Sequence, residues 1–405
     1  MKVLCVHNKY RTSAPSGEDV AVANEQRMLA KRGIDLVSFE RCNDELEDSS
    51  WASKVSIAAN TIWSRRSRTE FDAVLREARP DIVHVHNTFS VLSPSIYGAC
   101  ASLGVPVVQT LHNFRFFCPG ALLLRNGKPC EDCLERSLMQ SIRHRCYRGS
   151  LAATAALASM LVLHRTLGTY DSAIDRYIVL TEFGRGKSVK GGIARSKLVV
   201  KPNFLPDPPA PGNGGGGYVV YVGRLLEGKG VETLLSAWRE LPKLKLKIIG
   251  DGALRPGLEQ TARRENLNVE FCGLQVRTQV LEAISRAELL VIPSECYEGF
   301  PMVIAESFAC GTPVLGARIG SMEELIEEGV TGCKFTARDP HDLAARLGAM
   351  IEDKPGLARM RCHARAFFDA HLTEGQNCDR LVGIYESVIA ERRLRRTGEP
   401  IPASP

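Results

Sequence analysis

Short apolar runs, many of them β-branched, recur along this chain, and each is followed by a longer stretch with helical periodicity. The runs predict strands over Val3–Asn8, Asp35–Glu40, Asp81–Asn87, Val105–Asn113, Arg176–Phe183 and Lys197–Asn203. A second series covers Tyr218–Leu225, Leu244–Asp251, Asn268–Leu274, Leu289–Ser294 and Pro313–Ala317. Most runs are apolar throughout rather than alternating, the pattern of parallel strands covered on both faces. Strand and helix in succession describe a doubly wound α/β sheet. The alternation breaks at PDPPAPGNGGGGY, residues 206–218, where proline and glycine forbid a regular element.

That break predicts two Rossmann-like α/β domains facing each other across a cleft, with ligands at the carboxyl ends of the strands. The first domain spans 1–205 and carries a Cys-rich insertion at 117–149; 206–217 is the linker. The second spans 218–377, followed by a C-terminal helix at 378–394 and a disordered tail at 395–405.

A chain of 405 residues can bury two such cores. Its net charge of +6 is too weak a bias for a nucleic-acid partner. The apolar run Val3–Val6 is too short for a signal-peptide core. The longest apolar stretch, Leu151–Leu163, falls short of the roughly 20 residues a spanning helix needs. Thirteen cysteines in such a chain predict reduced thiols in a cytoplasm, any cluster of them being a candidate metal site.

Two stretches of the second domain carry chemistry. Gly223 to Gly230 nearly fits a phosphate-binding P-loop, but Gly230 stands where a Ser or Thr would have to hold Mg²⁺, which argues against a Walker-type nucleotidase. What remains is a strand ending at Gly223 with Arg224 and Lys229 at the mouth of the next helix, two cations suited to a diphosphate. In SECYEGFPMVIAESFACGTPV, which opens at Ser294, a turn at Glu298-Gly299-Phe300 leads into a helix with Pro301 at its first position. The free N–H groups near Gly299, Phe300, Met302 and Val303 form an anion site. Glu298 at the turn and Glu306 about a turn and a half into the helix offer carboxylates to sugar hydroxyls.

EGFPMVIAE resembles the E-x7-E element of retaining glycosyltransferases of family 4 (glycosyl transferases group 1), which share the two-domain GT-B fold. VGRLLEGKG is similar to the donor-phosphate segment of the same family, and SGEDVAVANEQRMLAKRG (16–33), DIVHVHN (81–87) and VVQTLHN (107–113) extend the likeness across nearly the whole chain. The resemblance implies that Arg224 and Lys229 hold the donor diphosphate and that Glu306 binds the ribose. Glu298 would contact the donor sugar, helped by the amides of Gly299 and Phe300. His112 would sit at the reacting sugar, and Gly17 would bring backbone close to the phosphates, although Ser16 stands where the family commonly has a second glycine. Retention of anomeric configuration is part of the same implication. No D-x-D pair stands at a strand end, so no catalytic metal is expected, and the cations and helix dipole would neutralise the leaving group.

The acceptor falls to the first domain. Arg65, Arg66 and Arg68 beside Trp63, with Arg143, Arg145 and Arg148, suit an anionic or lipid-linked acceptor at a membrane surface. A solvated basic helix face is the alternative. Outside the family pattern, Cys118, Cys130, Cys133 and Cys146 form C-x11-C-x2-C-x12-C, with zinc-knuckle character at the central pair.

The expected protein is thus a cytoplasmic, retaining glycosyltransferase, peripheral at a membrane, that uses a nucleoside-diphosphate sugar and a glycan or lipid-linked acceptor, with a structural zinc and no nucleic-acid partner. A sugar-nucleotide epimerase or a phosphorylase is the rival within the fold. A zinc-dependent binding protein is the rival outside it.

Overall fold

The computed structural model describes residues 1–10, 16–46 and 51–397. It contains two compact units: Met1–Ala121, Glu131–Pro202 and Gly375–Pro405 form the first, Leu122–Cys130 and Asn203–Glu374 the second. In chain order the strands are β1 (Lys2–Lys9), β2 (Asp35–Cys42), β3 (Ile82–Asn87), β4 (Val107–Leu111), β5 (Leu124–Arg125), β6 (Lys128–Pro129), β7 (Arg176–Val179) and β8 (Leu198–Val200). There follow β9 (Tyr218–Val222), β10 (Lys245–Ile249), β11 (Val269–Gly273), β12 (Leu290–Ile292), β13 (Val314–Ala317) and β14 (Gly332–Phe335).

The sheet of the first unit runs β2-β1-β3-β4-β7-β8, with every pairing parallel. β3 and β4 are buried along their whole length, although His84, His86, Asn87, Gln109 and Thr110 interrupt their apolar run. The second sheet, β11-β10-β9-β12-β13-β14, is also parallel throughout. Counted within the sheet, its order is 3-2-1-4-5-6, so the direction of winding reverses between β9 and β12. Loops that leave the carboxyl ends of strands at such a reversal open a crevice, and ligands bind there.

Three segments depart from the expected organisation. The C-terminal helix Glu374–Thr397 belongs to the first unit rather than following the second as a separate element. Side chains hold it there: the Tyr385 hydroxyl lies 2.6 Å from His84 Nδ1, and Asn377 Nδ2 donates to the Pro202 carbonyl at 2.6 Å. Residues 122–130, expected within the first-domain insertion, count with the second unit as the β5–β6 hairpin. Leu124 packs on Gly228, and a Cβ at Gly127 would lie 3.0 Å from Glu227 Oε1. Of the expected tail, 395–397 close the C-terminal helix and 398–405 lie outside the described residues.

Candidate functional site

In the second unit the loop after β9 carries Arg224 and Lys229, and the loop after β12 carries Glu298. The two loops meet backbone to backbone: Glu295 N–H donates to the Gly228 carbonyl at 2.8 Å. Gly230 has φ +70°, and a Cβ there would stand 1.8 Å from the Pro293 carbonyl oxygen, so glycine is required. The near-match to a P-loop therefore has a packing cause, and it aims Lys229 across the gap. Lys229 Nζ reaches Glu298 Oε1 at 2.6 Å, and Ser294 Oγ donates to the same oxygen at 2.8 Å. The Ser321 hydroxyl fixes the turn by donating to the Glu298 carbonyl at 2.8 Å.

Burial would raise the Glu298 carboxyl, but Lys229, Ser294 and the more distant Arg224 outweigh it and hold the group below the usual range. Glu298 is thus a carboxylate at neutral pH. An ammonium has three N–H donors, so Lys229 can keep this contact and still bind an anion. Arg224 is exposed, its carbonyl held by the Tyr221 hydroxyl at 3.0 Å.

Phe300 is buried, and Met302 opens the helix Met302–Ala309. Pro301, expected at the first helical position, is instead the residue before it: its ψ of 107° is extended. No side chain caps this helix. Glu306 is half-buried on it, its carboxyl raised by burial against the pull of Arg277. Glu298 and Glu306 therefore answer to different cations, Lys229 and Arg277.

In the first unit, His112 follows β4 directly. Its Nε2 lies 3.0 Å from His86 Nδ1, and burial followed by His86 holds its pKa well below the usual histidine value. Behind His86 sits a buried charged knot. Glu25 Oε1 is 3.3 Å from His86 Nε2 and 3.2 Å from His84 Nδ1, while Lys201 Nζ donates to Glu25 Oε2 and to Asn377 Oδ1, each at 2.9 Å. Glu25, His84 and His86 present ligand atoms close enough to chelate a metal. The Lys201 ammonium holds Glu25 Oε2 and the Tyr385 hydroxyl meets His84 Nδ1, whereas the buried Glu25 Oε1 and His86 Nε2 have no hydrogen-bond partner.

Gly17 opens the helix Gly17–Lys31, with open space where a Cβ would lie. Ser16 caps that helix in a reciprocal box with Asp19, and Asp19 Oδ1 holds His7 Nε2 at 2.8 Å. Next to Gly17 stands a residue that the sequence did not single out. Glu18 lines a chamber with His86, His112, Asn113 and Arg115. Its Oε2 accepts from Asn113 Nδ2 at 3.1 Å, whereas its buried Oε1 has no hydrogen-bond partner. Burial pushes this carboxyl up to about 7, against the opposing pull of His7 and Arg115. An acidic residue in a helix's first turn is ordinary, so only its burial against His112's loop marks it.

Between about pH 4.5 and 7 the folded chain then binds more protons at Glu18 than the unfolded chain, so stability falls as pH rises through that window. Glu18→Gln is expected to melt higher than wild type at pH 8 and not at pH 4.5. Identical pH dependence of melting in the two proteins would contradict this.

Arg66 pairs with Glu70 at 2.8 Å, Arg68 lies over the Trp63 ring at 5.4 Å, and Arg65 is exposed. Of the four cysteines, Cys118, Cys133 and Cys146 come together in the first unit. Cys130 counts with the second, where its N–H donates to the Leu123 carbonyl at 2.7 Å.

Comparison with known proteins bears on both units. The model of Glycosyltransferase Family 4 matches residues 16–206, and that of Glycosyl transferases group 1 matches 209–367. A D-inositol 3-phosphate glycosyltransferase of Mycolicibacterium vanbaalenii is 31% identical over 199 residues, 45% of this chain and 43% of its own. A glycogen synthase of Mycobacterium tuberculosis is 34% identical over 152 residues, 36% of each chain. The chain thus spans less than half the length of these curated relatives. A further D-inositol 3-phosphate glycosyltransferase, from Nocardiopsis dassonvillei, is 28% identical over 332 residues, 78% of this chain and 72% of its own. Among solved structures, sucrose-phosphate synthase from Thermosynechococcus elongatus has a TM-score of 0.68 at 16% identity, covering 96% of this chain and 100% of its own. Anabaena HepE in complex with UDP has a TM-score of 0.64 at 17% identity, with the same coverage. At such identities the likeness concerns the fold.

Proposed function

This chain belongs to the family 4 glycosyltransferases of GT-B fold, and from that premise we propose that it moves a sugar, with retention, from a nucleoside-diphosphate donor to a glycan or lipid-linked acceptor. The observation that carries the reading is the Lys229–Glu298 pair at the reversal of strand order, 2.6 Å apart beside an uncapped helix start. A cation and a helix N-terminus suit a diphosphate, and an ionised carboxylate beside them suits the hydroxyls of the sugar it carries. The complexes of HepE with UDP and with UDP-glucose support a donor of this class.

In this reading Arg224 and Lys229 bear the leaving diphosphate, Glu306 binds the ribose and Glu298 binds the transferred sugar. Gly299, Phe300 and Met302 supply backbone N–H groups, and Gly17 admits the ligand close to the first helix. His112 stays neutral and offers a hydrogen bond rather than a charge.

Acceptor binding falls to the first unit. Its helix Leu151–Thr166 exposes Leu151, Val162 and Leu163, with Leu167 just beyond, and Arg143, Arg145 and Arg148 are exposed shortly before it. Apolar side chains flanked by cations suit a lipid-linked acceptor and peripheral contact with an anionic membrane from the cytoplasmic side. No helix among the described residues is long and apolar enough to cross a membrane.

A panel of UDP-, GDP- and ADP-sugars, read by donor hydrolysis and thermal shift, tests the proposal. A true donor at 100 times its Kd should stabilise the protein by about 2.7 kcal/mol. With that donor, Glu306→Ala is expected to raise KM and Glu298→Ala chiefly to lower kcat, because contacts to the reacting sugar strengthen in the transition state. Normal kinetics in both variants, or an inverted anomeric product by NMR, would remove the assignment.

A further inference from the structure

We propose that Cys118, Cys133 and Cys146 supply three of the four thiolates of a structural zinc site that folds the segment around them. The three residues come from separate stretches of the first unit: a turn after β4, the short helix Asp132–Glu135, and the turn after the helix Met139–Arg143. They nevertheless converge. The Cys133 thiol is in hydrogen-bonding contact with that of Cys118, Cys146 is near enough to influence it through charge, and the Ser141 N–H points at its sulfur. Gly120 packs into the same knot, where a Cβ would lie 3.7 Å from Cys118 Sγ and 3.8 Å from Cys146 Cβ.

The backbone around each sulfur is tightly turned. Cys118 N–H donates to the Phe114 carbonyl and Ala121 N–H to the Cys118 carbonyl, both at 2.8 Å; Cys146 N–H reaches the Ser141 carbonyl at 3.1 Å. Close turns with an N–H aimed at sulfur suit thiolates, whose charge such donors stabilise. Arg165, tethered to the Phe116 carbonyl at 2.6 Å, places a guanidinium near Cys133. A zinc ion with four thiolates carries a net negative charge, which that cation offsets.

The segment needs a cross-link. Among residues 131–149, Leu138 is the one apolar side chain that is buried. The helices of this stretch, Asp132–Glu135 and Met139–Arg143, have no side-chain cap and are far too short to persist alone. None of the three thiols is in a disulfide. In sequence, Cys130 stands three positions before Cys133 in a C-x2-C spacing. Four thiolates leave no open position on zinc, so the ion orders the chain and takes no part in transfer chemistry.

Elemental analysis of full-length protein purified without added metal should find about one equivalent of zinc. A thiol-reactive mercurial should release it to a colorimetric chelator. Cobalt in its place should give a thiolate-to-cobalt charge-transfer band. Cys118→Ser/Cys133→Ser should lose the metal, Cys130→Ser should release it faster, and Cys272→Ser/Cys362→Ser should keep it. Chelation should speed hydrogen exchange in peptides covering 114–149. Zinc below about a tenth of an equivalent in freshly purified, folded wild type overturns the proposal, whether or not the variants fold. So does a Cys118–Cys133 disulfide found by mass, or metal retained by Cys118→Ser/Cys133→Ser.

Discussion

Arg224→Ala/Lys229→Ala is expected to lower turnover on the order of 10²-fold or more, the effect of removing positive charge that faces a developing negative one. Lys229 should be the costlier of the two residues. It is half-buried and paired at 2.6 Å with Glu298, whereas Arg224 is exposed. Lys229→Ala deletes a cation and also removes the main counter-charge of the Glu298 carboxylate, at the place proposed for the diphosphate. Donor KM should therefore rise as kcat falls. Lys229→Ala/Glu298→Gln separates the two losses: removing the bare carboxylate should restore part of the donor affinity, read by calorimetry, without restoring turnover. Near-wild-type turnover in Arg224→Ala/Lys229→Ala, with an unchanged circular dichroism spectrum, would take the site out of the loops after β9 and β12.

The residues of that site were legible because each lies in a local pattern. Arg224 and Lys229 bracket a glycine-rich turn after an apolar strand, and Glu298 stands just before a turn and a proline. Every predicted strand has a counterpart, though the observed ones are generally shorter: Val105–Asn113 contracts to Val107–Leu111, with Val105, Pro106, His112 and Asn113 in the flanking loops. Gly332–Phe335 escaped notice, since four residues that include glycine and lysine carry little periodic signal. Non-local features were harder to see. Glu25 and Lys201 are 176 residues apart, and nothing near either announces the other. The C-terminal helix has no local mark of the unit it joins, because Tyr385 and Asn377 acquire meaning only against His84 and Lys201. Glu18 reads as an ordinary first-turn acid until its burial is known.

Lys201→Met is expected to destabilise the first unit by about 3–5 kcal/mol, the cost of leaving one member of a buried ion pair alone. Lys201 is 2% exposed and holds Glu25, which is 8% exposed by side chain. Burial would raise the Glu25 carboxyl, but Lys201, His84 and His86 together hold it well below the usual range. Without the ammonium, the carboxylate faces His86, which its burial keeps neutral. Burial pushes His86 down to about 3, with the neighbouring His84 adding to the shift. Between 6.5 and that value the unfolded chain binds more protons at His86 than the folded one, so stability falls as pH falls, by up to about 1.4 kcal/mol per pH unit. The low Glu25 pKa adds a second acid-sensitive term only below about 4.5, where the unfolded carboxylate begins to protonate. Wild type at pH 5 should therefore already be weaker than at pH 7, through His86 rather than Glu25. Hydrogen exchange in peptides covering Ile82–Asn87 and Val107–Leu111 reads the first unit without assuming that both units unfold together. Glu25→Gln/Lys201→Met removes both charges and should recover much of the loss, since an uncharged, well-packed replacement of a buried pair is often close to neutral. A loss below about 1 kcal/mol in Lys201→Met would show that the ammonium is solvated rather than holding the knot behind His112.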